Sequence, residues 1–159
     1  MTSADVRVVV DDPARAEVAA LLADHLAAMH EYSPRCAVYA LDAAGVAAAD
    51  VTFWTAWAGI ELAGCGALKE LGPTRGEVKS MRTAPAHLRR GVAARILAEV
   101  VGAARERGYL ELLLETGSGP AFDPAHALYR RFGFEPCGPF GDYPESPFSR
   151  FFRLALDAG

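Results

Sequence analysis

The segment GEVKSMRTAPAHLRRGVAARIL, residues 76–97, constrains the fold of this chain more than any other stretch. Glu77 to Thr83 reads as a strand and Leu88 to Ala93 as a tight basic turn. From there Val92, Ile96, Leu97, Val100, Val101 and Ala104 recur at helical spacing, and Gly108 closes the helix. A strand that enters a helix through so short a turn aims several free backbone N–H groups and the positive end of the helix dipole at one point. Such a point suits a phosphate or pyrophosphate. Arg82, Arg89, Arg90 and Arg95 make its surroundings basic.

The flanking segments predict a mixed α/β sheet. Arg7 to Val10 is a β-branched run, and Asp11-Asp12-Pro13 is a helix start. Val18, Leu21, Leu22, Leu26 and Met29 form one helical face, which Pro34 ends. His25 shares that stripe and reads as a buried structural histidine. Residues 36–50 are Ala-rich and suggest a second short helix. Val51 to Ala58 and Glu61 to Leu71 read as a hairpin about Gly59-Ile60. Past the long helix, Tyr109 to Glu115 is a strand whose Leu110, Leu112, Leu113 and Leu114 predict burial on both faces. There follow a loop at Thr116 to Asp123, a short helix from Pro124 to Phe132, a strand from Phe134 towards Phe140 and a last strand from Phe148 to Leu156. With 159 residues, 52% of them apolar, and no repeat or linker, the chain predicts one domain spanning 1–159.

Composition removes several classes of function. A formal charge of −4 argues against a nucleic-acid binder held by general attraction. Cys36, Cys65 and Cys137 are odd in number and lack CxxC spacing, which argues against a disulfide framework or a zinc knuckle. Neither a signal peptide nor a run of about 18 apolar residues is evident, so a soluble cytoplasmic protein is expected.

The order of elements and the motifs Leu88-Arg89-Arg90-Gly91-Val92-Ala93 and Ala125, Leu128, Tyr129, Gly133, Phe134 resemble the GCN5-related N-acetyltransferase (GNAT) superfamily over nearly the whole chain. In that family an acidic strand residue leads to an (Arg/Gln)-x-x-Gly-x-(Gly/Ala) turn, and A-x-x-L-Y leads to G-F. Leu88 departs from the usual Arg or Gln, and Phe122 stands where many members have Asn. EYSP at 31–34, KSMRT at 79–83 and ETGS at 115–118 resemble a bacterial subfamily of poorly assigned members. The resemblance implies a mostly antiparallel central sheet with a V-shaped splay and flanking helices. It implies acetyl transfer from acetyl-CoA to a small-molecule or peptide amine in a ternary complex, with no metal, nucleic acid or membrane partner. Homodimers are common in the family.

By the same resemblance, the pyrophosphate would rest on the N–H groups of Arg89, Arg90, Gly91, Val92, Ala93 and Ala94. The pantetheine arm would insert beside Met81, Arg82 and Thr83, with the Met81 N–H polarising the thioester carbonyl. Tyr129 matches the tyrosine that protonates or hydrogen-bonds the sulfur, although its apolar stripe also allows a core role. Glu77 matches the acidic strand position and is the expected base, with Glu115 its rival and a plain surface carboxylate paired with Lys79 or an arginine the other reading of Glu77. Plain strand alternation puts Glu77 and Met81 on one face roughly 13 Å apart, which requires a water relay. His30, Glu31, Tyr32, Asp142, Tyr143 and Glu145 would build the acceptor pocket, with Glu115 also expected beside the acceptor, and their acidity suggests a cationic amine. A regulatory module that binds acyl-CoA without turnover is the alternative reading. A nucleotide-phosphate module is disfavoured because G-x-x-x-x-G-K-[ST] is missing.

Overall fold

The computed structural model describes residues 6–32 and 48–156, so most of the Ala-rich stretch expected to hold a second helix lies outside the described residues. The strands are β1 Val6–Val10, β2 Val51–Ala58, β3 Glu61–Gly72, β4 Arg75–Thr83, β5 Glu111–Gly117, β6 Glu135–Cys137 and β7 Ser149–Ala155. They form one sheet in the order β1-β2-β3-β4-β5-β7-β6. Every neighbouring pair is antiparallel except β4 and β5. The described helices are α1 Ala16–Tyr32, α2 Val92–Glu106 and α3 Asp123–Arg131.

The alternation of each strand divides the core between two faces. On one, α2 and α3 cover Leu68, Val78, Leu112, Leu114 and Phe152. On the other, Val18, Leu21 and Leu22 of α1 pack on Phe53, Cys65 and Ala67. Val92, Ile96, Leu97 and Val100 of α2 are at most 2% exposed. At about 1.5–3 kcal/mol for each side chain so buried, they outweigh the ~1 kcal/mol that a helix cap supplies. The first turn of α2 is therefore held in place by packing and does not need a cap.

Two features of β4 position the site. It pairs with β5 only at Arg75–Glu111, Gly76–Leu112 and Glu77–Leu113. Beyond Glu77 it stays on β3 as far as Thr83, while β5 stays on β7 as far as Gly117, so the two strands part into a V. Within the parted length lies a bulge. Ala67 faces Lys79 and Cys65 faces Arg82, which leaves Gly66 opposite both Ser80 and Met81. Ser80 takes φ of 57°, in the left-handed region. A side chain on Gly66 would meet Ile96 Cγ2 and Met81 Sδ at 2.6 Å, so only glycine fits there.

The bulge corrects the expectation that Glu77 and Met81 share a face. The extra residue reverses the alternation: Met81 packs into the α2 core with Val78, while Glu77 points with Lys79 to the opposite side. Two smaller expectations also change. The turn at Gly108 delays β5 to Glu111 and leaves Leu110 at 49% exposure, so burial on both faces holds only from Leu112 to Leu114. β6 is three residues long, because Pro136 and Pro139 offer no N–H to extend the edge.

Candidate active site

At one end of the V stands the start of α2. Arg89 and Gly91 have φ of 64° and 77°, which curls the backbone into the helix. Gly91 is the N-cap, and no side chain caps the N–H groups that follow. Ala93 and Ala94 keep that turn small. Arg89 and Arg90 are exposed beside it, whereas Arg95 donates to the carbonyl of Val6 at 3.1 Å and is turned away. Leu88, 56% exposed, contributes no polar group where the family motif has one.

In the V itself, on the α1 side, Glu77, Lys79 and Tyr143 form a compact group. The Tyr143 hydroxyl donates to Glu77 Oε2 at 2.6 Å, and Lys79 Nζ donates to that hydroxyl at 2.8 Å and to Glu77 Oε2 at 3.2 Å. Both members of the Lys79–Glu77 ion pair are at least nine-tenths buried. Tyr143 is fixed by ring contacts with Phe140 and Phe151. Glu115 faces the same side, as its pairing with Phe151 requires. Burial pushes its carboxyl up to about 7; Lys79 opposes the rise and Glu77 adds to it. The Ser149 hydroxyl reaches no hydrogen-bond partner among the described residues, yet lies close enough to offset part of the rise.

Tyr129 approaches from α3, packed against Phe134 and Phe152. Burial, with Glu115 adding to it, pushes its phenol up to about 12, so it keeps its proton at neutral pH. Its hydroxyl makes no hydrogen bond to another described residue. The same tyrosine is thus both a core side chain and an open donor.

Of the expected acceptor residues, Tyr143 and Glu115 meet at this cluster. Glu31, Asp142 and Glu145 are exposed, and the side chains of His30 and Tyr32 lie outside what is described. Lys79 was visible in the sequence as one of only two lysines, but nothing in its spacing linked it to Tyr143. Ser149 carried no signal at all. Arg82 and Thr83 diverge: Thr83 faces Gly64 on the α2 side, and Arg82 faces Cys65 on the α1 side. His25 is 7% exposed, as expected, but its Nδ1 has no partner among the described residues.

Cys65 is buried and its thiol pushed up to about 12, so it is a packing group and not a nucleophile. Among the described residues no group of three or more His, Cys, Asp or Glu is placed to hold a metal ion. No described helix is long and apolar enough to cross a membrane. A cavity of about 380 Å³ opens beside the V between α3 and β7, lined by His126, Arg130, Cys137 and Arg150 among others, with Ser149 at its wall.

Residues 18–134 match the acetyltransferase (GNAT) family profile. The chain is 48% identical over 147 residues to the uncharacterized N-acetyltransferase YsnE of Bacillus subtilis, covering 92% of this chain and 97% of that protein. Among solved structures it is similar to a provisionally assigned acyl-CoA N-acyltransferase from Klebsiella pneumoniae, with a TM-score of 0.78 and 27% identity over 96% of this chain and 98% of that one. A GNAT acetyltransferase from Elizabethkingia anophelis with acetyl-CoA bound shares the fold at a TM-score of 0.68 and 15% identity, over 96% and 99% of the two chains.

Proposed function

The chain belongs to the acetyltransferase (GNAT) family, and from that premise we propose that it moves an acetyl group from acetyl-CoA directly to an amine held in the same complex. The observation that carries this reading is the parting of β4 and β5 beyond Glu77 and Leu113. It leaves a slot with the uncapped α2 start near one end and Tyr129 and Glu115 near the other. A pyrophosphate fits the first end, where Gly91 and Ala93 allow close approach to free N–H groups. Arg89 and Arg90 would add charge-assisted bonds. Backbone groups of Met81, Arg82 and Thr83 would take the extended arm, and the Met81 N–H the thioester oxygen.

An amine must lose a proton to attack, and the departing sulfur must receive one or be stabilised by one. Glu115 suits the first task better than Glu77. Glu77 already accepts from both Tyr143 and Lys79, while Glu115 has a carboxyl near 7, where base and acid forms interconvert. Glu77 with Lys79 and Tyr143 would then set the shape and charge of the pocket. Tyr129, protonated at neutral pH and without an acceptor among the described residues, suits the sulfur. These two poised groups favour turnover over a module that only binds acyl-CoA.

The test is CoA release from acetyl-CoA across a panel of amines. Direct transfer predicts intersecting initial-rate lines when both substrates are varied. Parallel lines would indicate a covalent acetyl-enzyme and defeat the ternary reading. Tight CoA binding with no release for any amine would favour the regulatory alternative.

A further inference from the structure

We propose that Arg82 and His25 form a carboxylate-recognition point in the acceptor site, so that the acceptor is a small amine that also carries a carboxylate, of the amino-acid type. The proposal rests on the transfer reading above and deepens it by naming the acceptor class.

It begins with the bulge at Ser80. Plain alternation from Val78 would turn Arg82 towards α2; the added residue turns it opposite Cys65, under α1. His25 comes down from α1 onto the same place. Burial and the charge on Arg82 together hold the imidazole down to about 4, so it is neutral. Nothing described neutralises Arg82: it takes part in no ion pair, and its Nε is buried without an acceptor. His25 Nδ1 is likewise buried and unpartnered. Buried polar groups in native proteins find partners, and a guanidinium edge beside a neutral imidazole lacks an anionic oxygen. A planar carboxylate answers the guanidinium fork with two bonds.

The location fits an acceptor. Arg82 follows Met81 directly, on the opposite side of the strand from the α2 turn, and on the same side as Glu77, Lys79 and Glu115. Glu77 and Arg82 face Lys69 and Cys65, four residues apart on β3, which is roughly 13 Å between backbones. Shortened by side chains reaching in from both ends, that spacing matches a molecule whose amine and carboxylate are separated by a few carbons. The acidity of the expected acceptor residues alone suggested a cationic amine; Arg82 adds a point for an anionic oxygen, and the two demands together match a zwitterion.

The experiment compares, for each of a set of amino acids, the acid, its carboxamide and its decarboxylated amine. CoA release gives kcat/KM, and calorimetric titration in the presence of CoA gives binding. The wild type is expected to prefer the acid over the carboxamide by about 10- to 100-fold, the range for a hydrogen bond to a charged group. Arg82→Gln should bring that ratio close to one, and Arg82→Lys should restore part of it. Because the prediction concerns a ratio, a general loss of rate does not mimic it, and the wild-type ratio needs no variant. Equal use of acid and carboxamide, or a preference that survives in Arg82→Gln, overturns the proposal while leaving acetyl transfer intact. Arg82-dependent binding of acids without CoA release supports the recognition point and overturns the transfer reading. Binding of acids unaffected by Arg82→Gln overturns the recognition point.

Discussion

The Tyr143 hydroxyl donates to Glu77 Oε2 at 2.6 Å across 66 positions of sequence. This bond ties the loop before β7 to the last rung that β4 shares with β5. Because Lys79 Nζ also bonds the hydroxyl, Tyr143→Phe leaves a buried ion pair without its bridge while its ring packing remains. The expected cost is about 1–3 kcal/mol, read as a lower denaturant midpoint with an unchanged m value. An unchanged midpoint would show that the bridge contributes nothing net.

Glu115 couples activity and stability in opposite directions. Folding raises its carboxyl from 4.5 to about 7, so the folded chain holds that proton more tightly than the unfolded one. Its contribution is fully present below pH 4.5 and is lost as the pH rises through 7. Glu115→Gln should therefore raise the melting temperature relative to wild type at pH 8 and change it little at pH 4. As the base, Glu115 must be ionised, so kcat/KM should climb with pH to a plateau above about 7, and the glutamine variant should lose that limb. Glu77→Gln retaining the limb would separate the two carboxylates.

Tyr129→Phe should preserve the fold, because the ring contacts with Phe134 and Phe152 do not use the hydroxyl. Turnover should fall by about 100-fold or more, the usual contribution of a positioned proton donor. Calorimetry should find acetyl-CoA binding little altered. Unchanged turnover would return Tyr129 to a purely structural role.

Gly66→Ala tests the bulge. The new methyl collides with Ile96 Cγ2 and Met81 Sδ, both at 2.6 Å. Overpacking of this kind costs about 1–3 kcal/mol. If the bulge sets the Met81 N–H, kcat should fall further than the loss of folded protein explains. A fall in stability alone would limit Gly66 to packing.

The periodic parts of the fold were legible in the sequence. The α2 stripe from Val92 to Ala104 and the hairpin of β2 and β3 follow from spacing alone, since burial on one face enforces it. The turn at Gly91 was legible because glycine is the residue that a left-handed N-cap calls for. The bulge was not. Ser80 adopts the left-handed conformation without a Gly or Asn to announce it, and KSMRT reads as ordinary alternation. The elevated Glu115 carboxyl was equally hidden, since it arises from burial among side chains of β4, β7 and α3 that only the fold assembles. Glu77 and Tyr129 were found through their motif; Lys79 opens KSMRT, which assigned it no role, and Ser149 belongs to no quoted motif.

The extra residue at Ser80 also bears on how a protein of this kind can diverge. Met81 and Thr83 are turned towards α2 and Arg82 away from it, so replacing Arg82 alters only what is met beneath α1. A slip of β4 that drew Ser80 into regular pairing would instead exchange the faces of all three side chains at once. Selectivity beneath α1 can thus drift through point substitutions, one residue at a time. The arrangement towards α2 depends on Ser80 staying outside the ladder, and a one-residue slip of register there would undo both.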